Sequence, residues 1–394
     1  METLEKDLKA SLQASFIERF DSPADYLYFS PGRINLIGEH TDYNGGHVFP
    51  AAISIGTYGA LTLRDDQEIH VFSANFPDVG VVSFDLNDLA PRKYDSWVKY
   101  VRGVLYELKQ AGYRVERGFN LGIVGDMPNA SGLSSSASLE LLIGEMLNAA
   151  FKLHIARLDI VKLGQQVEND YLGLRTGIMD QFAIGFGEKE KAIFLDVNTM
   201  DYELVPAEFG EYELIIMTTN KKRELVDSKY NERRDETELA LKELQTVLPD
   251  LASLGELDLA TFEKYQDAIT DSTVLRRARH AVSENERTII ATSALKAHDL
   301  VKFGELLQQS HESLRDDYEV TGEELDTLFD AAMQQPGVLG ARMTGAGFGG
   351  SAIALVPRAT ASDFIKNVGE LYQVKIGYPA SFYLAEIVRG TAEL

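Results

Sequence analysis

Several residue types and sequence patterns on which common protein functions depend are absent or rare in this sequence. Cysteine is absent, which excludes disulfides, thiolate nucleophiles, zinc–thiolate sites and iron–sulfur clusters. Basic residues are few, with 38 Lys and Arg against 61 Asp and Glu, and the net charge of -23 argues against binding to nucleic acid or to anionic membranes. No run approaches the roughly 18 apolar residues of a membrane span, and residues 1–20 lack the apolar core of a secretory signal. We therefore expect a cytoplasmic protein.

What is present is the composition of a folded protein with a large core. The 394 residues are 45% hydrophobic and 25% charged, close to the average for globular proteins. This length favours two domains, and a change of composition near residues 198–211 predicts an N-terminal domain over 1–205 and a C-terminal domain over 206–394. Both parts contain helix and strand patterns, so the predicted fold class is α+β.

Hydrophobic periodicity predicts the elements around the candidate sites. Residues 26–30 have strand composition, and the Pro31-Gly32 pair after them predicts a turn. A strand over 119–124 is predicted to lead, through the small-residue loop 125–136, into an apolar helix, and a second helix is predicted over 157–172. Elements predicted for the second half are the strands 212–218, 351–356 and 381–388 and the helices 230–247, 273–296, 303–318 and 323–334.

Three glycine-bearing segments stand out, and the first is Pro31 to Gly46, PGRINLIGEHTDYNGG. It carries Arg33, Glu39, His40 and Asp42 within ten residues. One fixed cation beside several hydrogen-bonding groups is what recognition of a polyol requires. On spacing alone, a solvated, charged surface loop explains the segment equally well.

The second segment, residues 128–138, reads PNASGLSSSAS and lies between a predicted strand and a predicted helix. Small residues let the backbone approach a ligand, and the free N–H groups and dipole at a helix start favour an anion such as phosphate. It is not a Walker loop, because the sequence contains no Gly-Lys dipeptide. A serine-rich helix cap without a ligand is the alternative.

The third segment, residues 344–350, reads TGAGFGG. Its glycines match G-x-G-x-x-G, but a strand is predicted after it, whereas a dinucleotide fingerprint leads into a helix. We therefore reject a dinucleotide site. Tight packing against a nucleotide loop and a simple sharp turn both remain open, since composition does not distinguish them.

Together the three segments resemble the signature motifs of the GHMP small-molecule kinases, in the same order and at similar separations. EHTDYNGG in the first resembles specifically the galactokinase signature, and TGIMDQF, residues 176–182, is similar to that family's CGIMDQF. The resemblance covers nearly the whole chain. It implies a two-domain GHMP kinase-like architecture with the active site in the interdomain cleft, and ATP-dependent phosphorylation of the anomeric hydroxyl of D-galactose, with MgATP and the sugar as ligands.

The resemblance also implies roles for individual residues. Asp180 would be the catalytic base, and Arg33 the cation beside the transferring phosphoryl group. The sugar contacts would be Glu39, His40, Thr41, Asp42 and Tyr230. The ATP contacts would be Ser73 and the phosphate-loop residues Ala130, Ser131, Gly132, Leu133, Ser134, Ser135 and Ser136. The Mg2+ ligands would be Ser136 and Glu168.

The sequence departs from the family pattern in two places. Ala130 and Ser131 replace the leading Gly-Ala of the family's phosphate loop, and the alanine costs about 1 kcal/mol if its position needs a positive φ. Thr176 replaces the cysteine of CGIMDQF, a change of similar size from which we expect little effect.

Two alternatives to a galactose kinase remain at this stage. One is a regulatory sensor that binds galactose and ATP without turnover, although the complete SSSAS stretch at 134–138 favours an enzyme. The other is a kinase for a related sugar, such as N-acetylgalactosamine or L-arabinose, because the space around the sugar 2-hydroxyl is not visible in a sequence.

Overall fold

A computed structural model describes residues 2–92, 96–128, 131–221 and 226–394. Its helices are α1 (Glu2–Phe20), α2 (Val98–Gln110), α3 (Ser135–Ala150), α4 (Arg157–Gln166), α5 (Met179–Phe186), α6 (Val226–Leu244), α7 (Leu259–Tyr265), α8 (Ser272–Lys296), α9 (Leu300–Asp316), α10 (Gly322–Met333) and α11 (Ala361–Ile376). Its strands are β1 (Tyr26–Asn35), β2 (His47–Val48), β3 (Pro50–Leu63), β4 (Glu68–Ser73), β5 (Val82–Asp85), β6 (Phe119–Gly125), β7 (Lys191–Asp196), β8 (Tyr202–Pro206), β9 (Tyr212–Thr218), β10 (Gly340–Thr344), β11 (Ser351–Pro357), β12 (Ser381–Leu384) and β13 (Ala392–Glu393). None of the helices in these ranges is long and apolar enough to cross a membrane.

The first half is organised around a six-stranded sheet with the order β13-β1-β3-β6-β4-β5. Successive strand residues point to opposite faces of the sheet. Apolar side chains lie on both faces, so each face packs against a helix. Leu12 and Phe16 of α1 pack on one face. Leu142 and Met146 of α3 pack on the other, close to Gly59. The predicted strand, loop and helix around the second glycine-bearing segment are therefore confirmed.

The turn predicted at Pro31-Gly32 is wrong. β1 runs through both residues to Asn35, with a register irregularity between Pro31 and Gly32. Such a bulge lets a proline, which has no N–H to donate, remain inside a paired strand. Arg33 consequently projects from a rigid strand rather than from a loop.

The second half contains a four-stranded sheet with the order β10-β11-β9-β12, and the predicted α+β class is confirmed. The predicted long helices appear as α6, α8, α9 and α10, with ends shifted by a few residues. The sequence patterns did not predict β2, β5, β7, β8, β10, β13, α5, α7 or α11. In α11 the signal was present, because Phe364, Val368 and Tyr372 recur at four-residue intervals and are buried.

The helix predicted over 157–172 changes type before it ends. α4 stops at Gln166, and Val167–Tyr171 forms a π-helical turn. Such turns are rare and occur frequently at functional sites. This one carries Glu168, the predicted metal ligand.

The division of the chain between residues 205 and 206 stays a prediction. β8 spans that position, and β13, near the end of the chain, returns to the first sheet, where Ala392 pairs with Phe29. One apolar core cluster contains side chains from both halves, among them Ile34 and Ile353. The two halves therefore pack closely around the strand that carries Arg33.

Candidate active site

A pocket of about 140 Å³ lies where the first and third glycine-bearing segments meet residues 174–180. It is well above the roughly 10–15 Å³ that one water molecule needs, so it has room for a small ligand. Both halves of the chain contribute to its wall. The wall includes Arg33, Glu39, His40, Asp42, Thr176, Gly177, Asp180, Tyr230, Gly345 and Ala346.

Arg33 and Asp180 form a bidentate ion pair at one side of this pocket. Nε and Nη2 of Arg33 donate to the two carboxylate oxygens of Asp180 at 2.8 and 2.7 Å. Arg33 Nη1 donates to the carbonyl oxygen of Gly132 at 2.7 Å, and the Ser134 hydroxyl donates to Asp180. Charge-assisted, two-point contacts of this kind fix orientation as well as distance. The carboxylate of Asp180 is thus held between the pocket and the predicted phosphate loop.

Glu39 is fully buried and is anchored by the third glycine-bearing segment. Its Oε1 accepts the backbone N–H of Gly345 at 2.7 Å, and its Oε2 accepts Asn35 Nδ2 at 3.0 Å. Burial raises the pKa of Glu39, and the nearby Arg342 guanidinium opposes that rise. Arg342 Nη1 also donates to Oε1 at 3.4 Å, so about three of the roughly four lone-pair sites of this carboxylate are used and one, on Oε2, is left for a ligand hydroxyl.

His40 adopts a left-handed backbone conformation, with φ of 61°. Its Nδ1 lies 2.8 Å from the Tyr43 hydroxyl, and its ring centroid lies 5.7 Å from that of Tyr230. Burial, with a smaller effect from His280, lowers the pKa of His40 to about 3. His40 therefore faces the pocket as a neutral imidazole.

Asp42 approaches the 174–180 segment at a glycine. A Cβ on Gly177 would lie 1.7 Å from Asp42 Oδ2, so a larger residue at 177 displaces the carboxylate. Burial, followed by repulsion from Asp180, raises the pKa of Asp42 to about 6. The backbone N–H of Tyr43 donates to Asp42 Oδ1 at 2.9 Å and partly offsets this rise.

Thr41, also predicted to contact sugar, lies outside the pocket wall. It is fully buried, and its hydroxyl lies 2.8 and 2.7 Å from the carbonyl oxygens of Gly38 and His47. These contacts close the loop that presents the neighbouring side chains. A direct sugar contact for Thr41 stays a prediction.

The predicted phosphate loop enters α3 at Ser135, which is exposed. Just before the helix, Gly132 and Ser134 have left-handed backbones, with φ of 76° and 64°, and turn the chain sharply. The first N–H groups of α3 have no intrahelical acceptor, and this end of the helix favours a phosphate. Ala130 lies outside the described residues.

The third glycine-bearing segment packs directly against this loop. A Cβ on Gly345, whose φ is 87°, would lie 3.0 Å from the Gly132 carbonyl oxygen. The Ser131 carbonyl accepts the hydroxyl of Ser351, at the start of β11, at 2.7 Å. The backbone of buried Leu133 is bonded to β1. Of the two interpretations left open for this segment, tight packing against the loop is confirmed.

Ser136 and Glu168 lie together, as expected of shared metal ligands. Ser136 Oγ donates to Glu168 Oε1 at 2.9 Å, and Thr176 Oγ1 donates to Glu168 Oε2 at 2.7 Å. Burial raises the pKa of Glu168. A hydroxyl and a carboxylate are oxygen ligands of the kind Mg2+ prefers. Within the described ranges no three His, Cys, Asp or Glu side chains are grouped as a metal site.

Ser73 is buried at the end of β4, near the strand that leads into the phosphate loop. Its hydroxyl accepts the backbone N–H of Asn75 at 3.3 Å, and Asn75 Nδ2 donates to the Gly125 carbonyl at 2.7 Å. The position is compatible with a nucleotide contact, which stays a prediction.

Sequence reasoning missed two buried residues from the second half that complete the site. The Tyr318 hydroxyl lies 2.8 Å from that of Tyr43. Arg342 in β10 donates to the carbonyl oxygens of Asn35 and Leu36 at 2.9 and 3.1 Å, and so holds the end of β1. Arg342 could have been found from the sequence, because it lies directly before MTGAGFGG in a run of strand composition. Nothing in the sequence around Tyr318 indicates a role at the site.

Three family models match three different parts of the chain, and these parts contain the segments described above. The galactokinase galactose-binding signature matches residues 14–63, the GHMP kinases N terminal domain residues 99–188, and the GHMP kinases C terminal domain residues 291–374. The first covers the loop with Glu39, His40 and Asp42, and the second covers the phosphate loop and Asp180.

Relatives match over nearly the full length. The chain is 56% identical over 385 residues to a galactokinase of Levilactobacillus brevis, with 98% of this chain and 99% of the relative covered. The crystal structure of Lactococcus lactis galactokinase complexed with galactose superposes with a TM-score of 0.96 at 56% identity, covering 98% and 99% of the two chains. The Methanococcus jannaschii mevalonate kinase, at 18% identity, a TM-score of 0.65 and coverage of 92% and 98%, shares the fold. The family predicted from the motifs is therefore confirmed, and the chain belongs to the galactokinase family of the GHMP kinases.

Proposed function

We propose that this chain transfers the γ-phosphoryl group of ATP to the anomeric hydroxyl of D-galactose, giving galactose 1-phosphate and ADP. The observation that carries the proposal is the position of Asp180, which contacts Arg33 on the pocket wall and Ser134 on the phosphate-loop side. A carboxylate at that position reaches both ligands. The names of the relatives, and the solved relative complexed with galactose, support galactose as the sugar.

Each side chain has a defined task in this reaction. Asp180 accepts the proton of the anomeric hydroxyl while the sugar oxygen bonds to the γ-phosphorus and the bridging oxygen leaves with ADP. Arg33 keeps the Asp180 carboxylate oriented and adds a fixed positive charge beside the transferring group. The other sugar hydroxyls are bound by Glu39, His40, Asp42 and Tyr230.

The nucleotide is held by short-range interactions, because a chain with a net charge of -23 offers no long-range attraction to ATP. The groups that make these interactions are the phosphate loop from residue 130 to 136, the N-terminus of α3, and Ser73. Ser136 and Glu168 would hold Mg2+, which when bound neutralises phosphate charge. We place this site in a cleft between domains 1–205 and 206–394 and the enzyme in the cytoplasm.

The test is magnesium-dependent ADP release with galactose, N-acetylgalactosamine, L-arabinose, glucose and mevalonate, with NMR identification of the phosphorylated hydroxyl. Asp180→Asn is measured in parallel, with exposed Asp201→Asn as the matched control. We expect turnover with galactose at the anomeric position and a loss of at least about a hundredfold in Asp180→Asn.

Each hypothesis gives a different result in this assay. A loss below about tenfold in Asp180→Asn contradicts the role of Asp180 as base. Turnover with another sugar in place of galactose indicates the related-sugar kinase. Binding of galactose and ATP by calorimetry without any turnover indicates the sensor.

A further inference from the structure

Three side chains form a hydrogen-bonded series behind the sugar pocket. The Tyr318 hydroxyl lies 2.8 Å from the Tyr43 hydroxyl, and the Tyr43 hydroxyl lies 2.8 Å from Nδ1 of His40. Tyr318 is fully buried and follows α9, whereas the other two belong to the first glycine-bearing segment. Buried hydroxyls need partners, and these two tyrosines supply each other's.

Each hydroxyl carries one proton, so the series runs in one of two directions, either from Tyr318 through Tyr43 to His40 Nδ1 or in the reverse order. Asn44 Nδ2 donates to the His40 carbonyl at 2.7 Å and so fixes the backbone that carries the ring. In the first direction Tyr43 donates to His40 Nδ1, which must be unprotonated to accept.

The surroundings of the other ring nitrogen of His40 favour the first direction. A neutral imidazole with a bare Nδ1 carries its proton on Nε2. His40 lines the pocket, and Nε2 is buried with no partner at hydrogen-bond distance among the described residues. The Ala346 backbone, on the same pocket wall, acts on this ring as an acceptor, which agrees with a proton on Nε2. Nε2 is therefore the ring atom available to a ligand.

We propose that Tyr318 and Tyr43 are positioning residues that hold His40 in its Nε2–H tautomer, so that His40 meets the sugar as a hydrogen-bond donor. The proposal rests on the proposed function for the identity of the sugar, but the tautomer itself is a property of the free protein. The second half of the chain thereby contributes to sugar selectivity through Tyr318, which itself does not contact the sugar.

The first test reads the tautomer without any substrate. Long-range ¹H–¹⁵N correlation spectra of the histidine rings are recorded for the ¹⁵N-labelled wild type, Tyr43→Phe and Tyr318→Phe, with His40→Gln for assignment. Tyr372→Phe is the matched control, because it also removes a buried tyrosine hydroxyl, one bonded to the Thr219 carbonyl at 2.7 Å. We expect the wild type and the control to show bare Nδ1 and protonated Nε2 in His40, and Tyr43→Phe to show a mixture. A wild-type His40 with its proton on Nδ1, or a Tyr43→Phe spectrum unchanged from wild type, overturns the proposal.

The second test reads selectivity in the phosphorylation assay, with galactose and its monodeoxy and monofluoro analogues at each non-anomeric position. Fluorine accepts a hydrogen bond weakly but donates none, so at one position the fluoro analogue should bind better than the deoxy analogue. In Tyr318→Phe we expect this difference to shrink and the galactose KM to rise three- to tenfold, with kcat within about twofold. A lower kcat with an unchanged KM overturns the positioning role. Absence of wild-type turnover with every sugar refutes the proposed function alone, because the tautomer spectra do not depend on turnover.

Discussion

The sugar pocket and the phosphate loop are built in opposite ways. In the pocket, charged side chains are held by partners from distant parts of the chain, as when Glu39 accepts the N–H of Gly345. In the loop, small residues such as Gly132 and Ser134 shape the backbone so that helix N–H groups face a ligand. Selecting one sugar among isomers requires fixed side chains, whereas a polyphosphate is held by dipoles and a cation. Substitutions in the two regions should therefore affect the two substrates separately.

The largest difference between the effect on galactose and the effect on ATP is expected for Gly177→Ala. A Cβ at 177 would lie 1.7 Å from Asp42 Oδ2, so either the carboxylate or the segment that carries Asp180 must move. A displacement of about 1 Å costs on the order of a hundredfold when it misplaces reacting groups. We expect kcat/KM for galactose to fall by about a hundredfold, with ATP affinity, measured by calorimetry, within about threefold of wild type.

The control for this variant is Gly369→Ala in α11, where the added Cβ would meet the Phe382 ring at 3.3 Å, far from the pocket. It should retain wild-type kinetics. If Gly177→Ala binds galactose normally and loses ATP instead, the two regions are not independent.

The next effect concerns pH and Asp42. Its pKa of about 6 means that the carboxyl group of the free protein becomes protonated as the pH falls below 6. We expect the calorimetric Kd for galactose to rise toward tenfold for each pH unit below 6, and Asp42→Asn to remove this dependence at the cost of weak binding throughout. A Kd that stays constant between pH 6.5 and 5 contradicts the prediction.

The same carboxyl group should destabilise the free protein at neutral pH. Its folded pKa lies above the ordinary value of about 3.9, so between pH 4 and 6 the folded state holds more protons than the unfolded state, and stability falls as the pH rises. Asp42→Asn should therefore raise Tm at pH 7.5 while weakening galactose binding. A lower Tm at pH 7.5 would show that the ionised carboxylate is stabilised by its neighbours.

A smaller effect, on the nucleotide side, is expected for Ser136→Ala. Removing the hydroxyl that pairs with Glu168 takes away one proposed Mg2+ ligand, so the Mg2+ concentration for half-maximal rate should rise about tenfold. The galactose KM should stay within about twofold. Ser293→Ala, an exposed helix serine bonded to the Ile289 carbonyl, is the control. A raised galactose KM with an unchanged Mg2+ requirement would contradict the proposed ligand.

The same contrast explains how much could be predicted from the sequence. Arg33, Glu39, His40 and Asp42 are close in sequence, so a motif reveals them, and the structure places all four on one pocket wall. Thr41 belongs to the same motif, yet it points into the loop, because a motif records proximity and not side-chain direction.

The partners from the second half could not be predicted. Tyr43 and Tyr318 are 275 residues apart, and nothing local to either residue indicates that their hydroxyls meet. Pairing of that kind follows from how the helices pack on the sheets, which a single sequence does not show. The error at Pro31-Gly32 has a different cause, because propensity predicted a break where sheet pairing tolerates a bulge.

The smallest expected effect concerns Ala130, for which the sequence is the only guide. The family's phosphate loop begins with glycine there, and an alanine forced to a positive φ costs about 1 kcal/mol, or about fivefold in affinity. Ala130→Gly should therefore lower the ATP KM two- to fivefold and leave the galactose KM unchanged, both measured from initial rates. An unchanged ATP KM would mean that this loop accepts alanine without strain. A changed galactose KM would mean that the loop, through Gly132 and Arg33, also sets the shape of the sugar pocket. The pocket and the loop would then differ in how they are built, but the binding free energies of galactose and ATP would not be independent.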